Sequence, residues 1–183
     1  MTETPKILRK LLQDHANMSR VLALLECEIR AVHQGQKTEL NMVEDIVIYC
    51  MGYPELSHRP QEDLVFRRLE SKAKADVATS VHAEHNELNK LINQLSVMVD
   101  NMPHFGNERL DELVDIVTRF ITKYRNHMTM EEDLFTLSVE SLAEQDWAEL
   151  ESQVRINEDP LFGEMVDRRF LKLREQILAA TPK

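Results

Sequence analysis

The chain predicts an all-α fold, an up-down-up-down four-helix bundle with a helical C-terminal extension, and three observations predict it. The first is composition: only four glycines and six prolines, with 43% hydrophobic residues spread in periodic rather than continuous runs. The second is a doubled motif. His58-Arg59-Pro60-Gln61-Glu62-Asp63-Leu64-Val65-Phe66 returns as His127-Met128-Thr129-Met130-Glu131-Glu132-Asp133-Leu134-Phe135, both reading H-x-x-x-E-[DE]-x-x-F. The third is a looser pair that precedes each copy, Asp14-His15 after Leu11 and Glu84-His85 after Val81. The chain is thus two units of about 70 residues, each with one lone His and one His-x-x-x-Glu.

Taken in order, Thr2 or Thr4 suits the N-cap of a first helix whose Leu8, Leu11, His15, Met18, Leu22, Leu25 and Ile29 follow in steps of three and four. That stripe turns His15 into the core. The helix stops at Gln34-Gly35-Gln36-Lys37, where glycine supplies a left-handed residue. A second helix opens near Thr38 and brings Met42, Asp45 or Ile46, Tyr49 and Tyr53 toward His58. Pro54 and Pro60 fall inside it, and each costs about 3 kcal/mol by removing a donor and crowding the turn before it. A kink or break at Gly52-Tyr53-Pro54 is expected, with Pro60 in the first turn of a renewed helix. Ser71 to Asp76 reads as the turn into a third helix, which carries Val81, His85, Leu88, Ile92, Leu95 and Val99 and stops near Asn101 to Gly106. The fourth runs from about Asn107 through Leu113, Ile116, Val117, Phe120, Tyr124, His127 and Glu131 to Leu137.

The bundle accounts for residues 1–140, and 141–183 reads as an extension packed on the same domain. Leu142 to Val154 is a short helix anchored by Trp147. Asp159-Pro160 is a cap followed by proline at a first helical position, opening a last helix through Phe162, Met165, Val166, Phe170, Leu173 and Ile177. Three placements are open: capping one end, lying along the side, or making a homodimer contact.

Register brings the ligand-type residues together. In such a bundle, residues at one level on neighbouring helices are equidistant from the turn between them. The midpoint of His15 and His58 falls on Gln36 and Lys37, that of His85 and His127 on Gly106, and that of His58 and His85 between Ser71 and Lys72. All three lie in expected turns, so the four histidines share one layer.

A four-residue step stacks imidazole and carboxylate on one helix face. Four neutral imidazoles and two carboxylates, His15, His58, His85, His127, Glu62 and Glu131, exceed what one Zn²⁺ takes, so two metals are the natural stoichiometry. Each takes one lone His and one His of a His-x-x-x-Glu, with Glu62 and Glu131 bridging and positions left open for a small ligand. Nitrogen and oxygen donors with open positions favour iron, and zinc or manganese suit the same ligand types. Having fewer carboxylates than ferritin-like sites, the pair is expected to favour its reduced state, which a potential as low as theirs contradicts.

The remaining polar residues read more plainly. His82 is a helix-flank histidine, His33 and His104 fall at helix ends, and Asp63 and Glu132 point outward or hydrogen-bond to neighbours. Tyr124 shares the face of His127, and core packing competes with hydrogen-bond donation to a ligand as its role. Met18 and Met130 are gap-fillers or pocket lining. Cys27 and Cys50, without metal or disulfide spacing, are expected to be buried small hydrophobes in a reducing compartment. A net charge of −10 excludes nucleic acid and anionic membrane as partners. Lacking any apolar run of membrane-span length or a signal-type N-terminus, the chain is expected in the cytoplasm.

At these residues the chain resembles the hemerythrin-like HHE cation-binding family over about 8 to 140. It is most similar to bacterial members with four His and two Glu, among them di-iron proteins implicated in repairing damaged iron centres. Tyr53-Pro54-Glu55-x-x-His58-x-Pro60-x-Glu62-Asp63-x-x-Phe66 is the stretch that carries the likeness. The resemblance implies a hemerythrin-like bundle with two iron ions bridged by oxo or hydroxo, His15, His58, His85 and His127 as terminal ligands, and Glu62 and Glu131 as bridges. Oxygen-carrying members have a fifth His one turn from a neighbour on the third helix, where this chain has Val81 and Asn89. The expected function is a non-haem di-iron protein handling O₂, peroxide or NO, with peroxide turnover open to it. Two alternatives stand beside it: an iron-storing or iron-donating protein for repair, and a zinc-stabilised structural bundle.

Overall fold

Four long helical runs form the bundle in the computed structural model, which describes residues 4–36, 40–73, 78–105, 109–154 and 157–180. They are α1 (Lys6–His33), then α2 (Leu40–Tyr53), a π-helical turn (Pro54–His58) and α3 (Arg59–Ala73) as one continuous run, α4 (Ala78–Phe105) and α5 (Leu110–Ser141). The tail adds α6 (Glu144–Gln153), a 3-10 turn (Arg168–Phe170) and α7 (Leu171–Ala180). The fold is all-α, with no strand among the described residues. None of its helices is long and apolar enough to cross a membrane.

The apolar stripes read from the sequence are buried: Leu8, Leu11, Met18, Leu22, Leu25 and Ile29 on α1, and Leu113, Ile116, Val117 and Phe120 on α5. On α2 the inward residue is Ile46, whereas Asp45 pairs at the surface with Arg169 at 2.8 Å. Gly35 ends α1 at φ 70°, with Gln36 N–H donating to Ala31 O at 3.0 Å. Lys37, Thr38 and Gly106, on which parts of the turn reading fell, lie outside the described residues.

Several expectations need correction. The start of α1 is not capped by Thr4: Pro5 precedes it, and Lys6 N–H donates to Glu151 Oε1 of α6 at 2.6 Å, while Thr2 lies outside the described residues. The turn expected from Ser71 begins later, because α3 continues to Ala73. Its last turns are tied to α6 by Arg68–Asp146 at 2.9 Å, Arg68–Glu149 at 2.7 Å and Lys72–Asp146 at 3.2 Å. Cys27 is exposed, while Cys50 is buried; two residues past Leu25, a side chain has turned about 200° away from the core.

The α-helical pattern of the second run breaks after Tyr53, and Pro60 sits in the first turn of the renewed helix α3, as expected. The backbone widens to a π turn in which Arg59 N–H donates to Pro54 O, five residues back. Pro60 has no N–H for the carbonyl of Leu56, and that oxygen accepts from Asn157 Nδ2 of the tail at 2.9 Å. Gln61 Nε2 donates to Ser57 O at 3.0 Å.

The tail packs on the bundle in two places. α6 lies against α1 and α3, with Trp147 and Leu150 buried beside Ile7, Leu8 and Val65, while α7 lies against α1 and α2, burying Leu173 and Ile177. The helix expected from Pro160 does not form there. Asp159 Oδ1 caps the amides of Leu161 and Phe162 at 2.8 and 3.0 Å, but the chain closes into a single turn, with Gly163 N–H donating to Asp159 O at 2.8 Å. A Cβ on Gly163 would stand 2.5 Å from that carbonyl, so only glycine permits the closure. Met165 is left 80% exposed and Asp167 starts the helical path anew.

Candidate metal centre

Each of the four runs changes character at one level. On α1 the apolar sequence Leu11, Met18 is interrupted by His15, on the second run Tyr53 and Val65 flank His58 and Glu62, on α4 Val81 and Leu88 flank His85, and on α5 Tyr124 and Phe135 flank His127 and Glu131. The core is therefore two dry clusters separated by one polar layer. Phe66 and Phe135, the last residues of the repeated motif, stack at 5.5 Å with planes 17° apart, and Phe135 lies 5.6 Å from the His15 ring.

The layer brings all six candidate residues together, each buried. The ring pairs are His15–His58 at 5.0 Å and His85–His127 at 4.7 Å between centroids. Glu131 reaches both pairs, with Oε1 2.8 Å from His127 Nε2 and 3.3 Å from His85 Nε2, and Oε2 3.2 Å from His15 Nε2. Glu62 Oε1 contacts His58 Nε2, while Oε2 stands 3.4 Å from His85 Nε2. Ligating atoms fall into two groups compatible with one ion each: His15, His58, Glu62 and Glu131, and His85, His127 and Glu131.

Hydrogen bonding does not satisfy this layer. His15 Nε2, both carboxylate oxygens of Glu62 and His127 Nδ1 are buried without a hydrogen bond of acceptable geometry among the described residues, although oxygens and nitrogens face each other within 4.0 Å. Leaving such groups unpaired in a dry core costs several kcal/mol in all, of order 1–3 each. Cations between the nitrogens and oxygens remove that cost, so the residues present fit bound metal.

Electrostatics agree. Burial alone would lower His15 and His58, but Glu131 and Glu62 around the first, and Glu62 with Asp14 around the second, raise them to about 9 and about 10. Burial would raise Glu131, with the neighbouring Glu62 acting in the same direction, yet the close imidazoles of His127, His15 and His85 hold it at about 2. Glu62 is likewise held well below its ordinary range, against its burial, chiefly by His58. Without metal, the pocket fills its need for positive charge with protons.

Two supports were not assigned from the sequence. Asp14 Oδ2 accepts from His58 Nδ1 at 3.3 Å and is itself held by Lys10 Nζ at 2.5 Å and the Tyr53 hydroxyl at 3.2 Å. Glu132, expected to face outward or bond locally, does both, accepting from His15 Nδ1 at 3.1 Å while half exposed. These bonds would keep a proton on each Nδ1 when a cation takes the place of the proton on Nε2, and they aim Nε2 into the layer. The signal for Asp14 was a carboxylate directly before a core histidine, four residues after a lysine. His82 is an exposed flank residue 3.8 Å from Asp63, and His33 lies at the surface 3.7 Å from Asp111. The side chain of His104 is outside the described set. Met18 lines a cavity at the site, while Met130 packs on the second apolar cluster.

A family model described as the hemerythrin HHE cation binding domain matches residues 6–138. Comparison with curated proteins and with solved structures finds no match.

Proposed function

The chain belongs to the hemerythrin HHE cation-binding family, and from that premise we propose a non-haem di-iron protein that receives a small oxidant or diatomic ligand, O₂, peroxide or NO. His15, His58, His85 and His127 are the terminal ligands and Glu62 and Glu131 the bridges. When bound, the iron pair supplies open coordination positions and one-electron redox steps.

The observation that carries this reading is a small cavity against the layer, lined by Asp14, His15, Met18, Tyr49, Tyr53, Pro54, His58 and Tyr124. Its volume is about 10 Å³, near the least that admits one water. A purely structural zinc site needs no such space. The cavity wall selects for small ligands: Tyr49 and Tyr53 stack at 5.8 Å, and Met18 closes one side beside Cys50 at 3.9 Å. Tyr49 already donates to Asp159 Oδ2 at 3.1 Å and Tyr53 to Asp14, which leaves the Tyr124 hydroxyl to donate to a ligand there. Because Asp159 belongs to the tail, bundle (about 1–140) and extension (141–183) act as one domain in this reading.

The test is metal analysis of anaerobically purified protein, followed by absorption spectra under air, peroxide and NO. Iron with a charge-transfer spectrum that responds to one of these supports the proposal. Colourless protein with firmly held zinc contradicts it.

A further inference from the structure

Resting on the di-metal reading, we propose that the two cation positions are unequal: the one between His15 and His58 holds its ion tightly, and the one between His85 and His127 holds its ion loosely and exchanges it. The internal repeat makes the two sides comparable residue by residue. Helix α1 corresponds to α4 and the second run to α5, so Asp14 corresponds to Glu84, and Asp63 to Glu132.

On one side both carboxylates stand behind imidazoles, Asp14 accepting from His58 Nδ1 at 3.3 Å and Glu132 from His15 Nδ1 at 3.1 Å. Neither counterpart does this. Glu84 Oε1 instead accepts from Lys123 Nζ at 2.7 Å, a lysine one turn before His127, and His127 Nδ1 is buried with no hydrogen-bond partner among the described residues. Asp63, one methylene shorter than Glu132, stands 3.8 Å from the exposed His82, whose ring meets that of His85 edge-on at 6.4 Å.

The second side also has Arg59, whose guanidinium pairs with Glu55 one turn back. Arg59 bridges the seam between α3 and α4, donating to Asn89 Oδ1 at 3.1 Å, one turn beyond His85. A carboxylate behind a ligating imidazole fixes its orientation and strengthens it as a donor, and each such partner is worth about 10–100-fold in metal affinity. Two on one side and neither on the other set the order of affinity. The cavity adjoins the tight position, so a small ligand meets the retained ion, while the loose ion is the one yielded to an acceptor.

The experiment is a titration of the metal-depleted full chain with Co²⁺ against a chromophoric chelator, read by the cobalt spectrum and the chelator's colour. Two steps are expected, their dissociation constants separated by at least about 10-fold. Glu132→Gln, at a half-exposed residue that the fold tolerates, should weaken the first step about 10–100-fold and leave the second. His127→Ala should abolish the second and leave the first. Lys123→Met releases Glu84 toward His127 and should narrow the gap. Two ions bound with one common constant, Glu132→Gln weakening both steps equally, or a gap unmoved by both Glu132→Gln and Lys123→Met overturns the inequality while leaving the di-metal reading intact. A total of one ion per chain overturns that reading itself, and this inference with it.

Discussion

The same motif is mounted on two different backbones. His127 and Glu131 ride on α5, an uninterrupted helix of 32 residues, whereas His58 closes, and Glu62 follows, a π turn between α2 and α3 that contains one proline and precedes another. The unbroken helix supports its motif through its own ladder of backbone bonds. The widened one draws support from elsewhere: Asn157 satisfies the carbonyl that Pro60 leaves unmet, and Asp159 holds Tyr49 one turn before Tyr53. A π turn near a binding site therefore makes half of the centre dependent on a distant segment, here the C-terminal tail.

Acid–base behaviour of the centre gives the largest expected effect. A histidine raised to about 9 or 10, as His15 and His58 are, stabilises the metal-free fold below its unfolded value of 6.5 and loses that contribution as pH climbs through the folded value. Glu131, held at about 2, stabilises above its ordinary 4.5 and loses this as pH falls toward 2. Metal-free protein should thus be most stable between roughly pH 4.5 and 6.5 and lose stability progressively as pH rises from there toward 9 or 10. A cation must displace the protons on His15 and His58, so binding should release about two protons at pH 7.5 and tighten by up to about 100-fold per pH unit below 9. Calorimetric titration in buffers of different ionisation enthalpy counts those protons, and a count near zero contradicts this picture.

Loosening the tail should separate the two mounts. Leu161, fully buried in the larger apolar cluster between Asp159 and Phe162, should cost about 2–5 kcal/mol when replaced by alanine. Hydrogen exchange should rise across 40–58 before it rises across 110–141. Equal rises would show that the tail supports both alike. Tyr49→Phe leaves Asp159 with only its backbone donors and should cost about 1–3 kcal/mol by denaturant unfolding. Asn157→Ala is the mildest, about 0.5–1.5 kcal/mol, since water can reach the exposed Leu56 carbonyl.

This contrast also marks what the sequence discloses. The convergence of four histidines was legible because helix rise is nearly sequence-independent and glycine and polar runs mark the turns, so counting from His15, His58, His85 and His127 to those turns placed them near one level. The apolar stripes were legible for the same reason. The π turn was not, since a proline signals a missing donor without saying whether the backbone kinks, stops or widens. Asp14 and Glu132 reach their histidines across helix seams, which periodicity within one helix does not reveal. The path of 157–167 depends on closure around Gly163 and on the tail's contacts with α2, and a cap-plus-proline pattern could not distinguish that turn from a helix start.

The most direct test of the centre is metal content per chain, measured on the natural protein and on Glu131→Ala, since among the described residues Glu131 is shared by both ligand groups. Two ions per natural chain, and loss of both in a variant whose helical circular dichroism is preserved, is the predicted result. Fewer than one ion in the natural protein, or two ions kept by the variant, would contradict a paired site built on these six side chains.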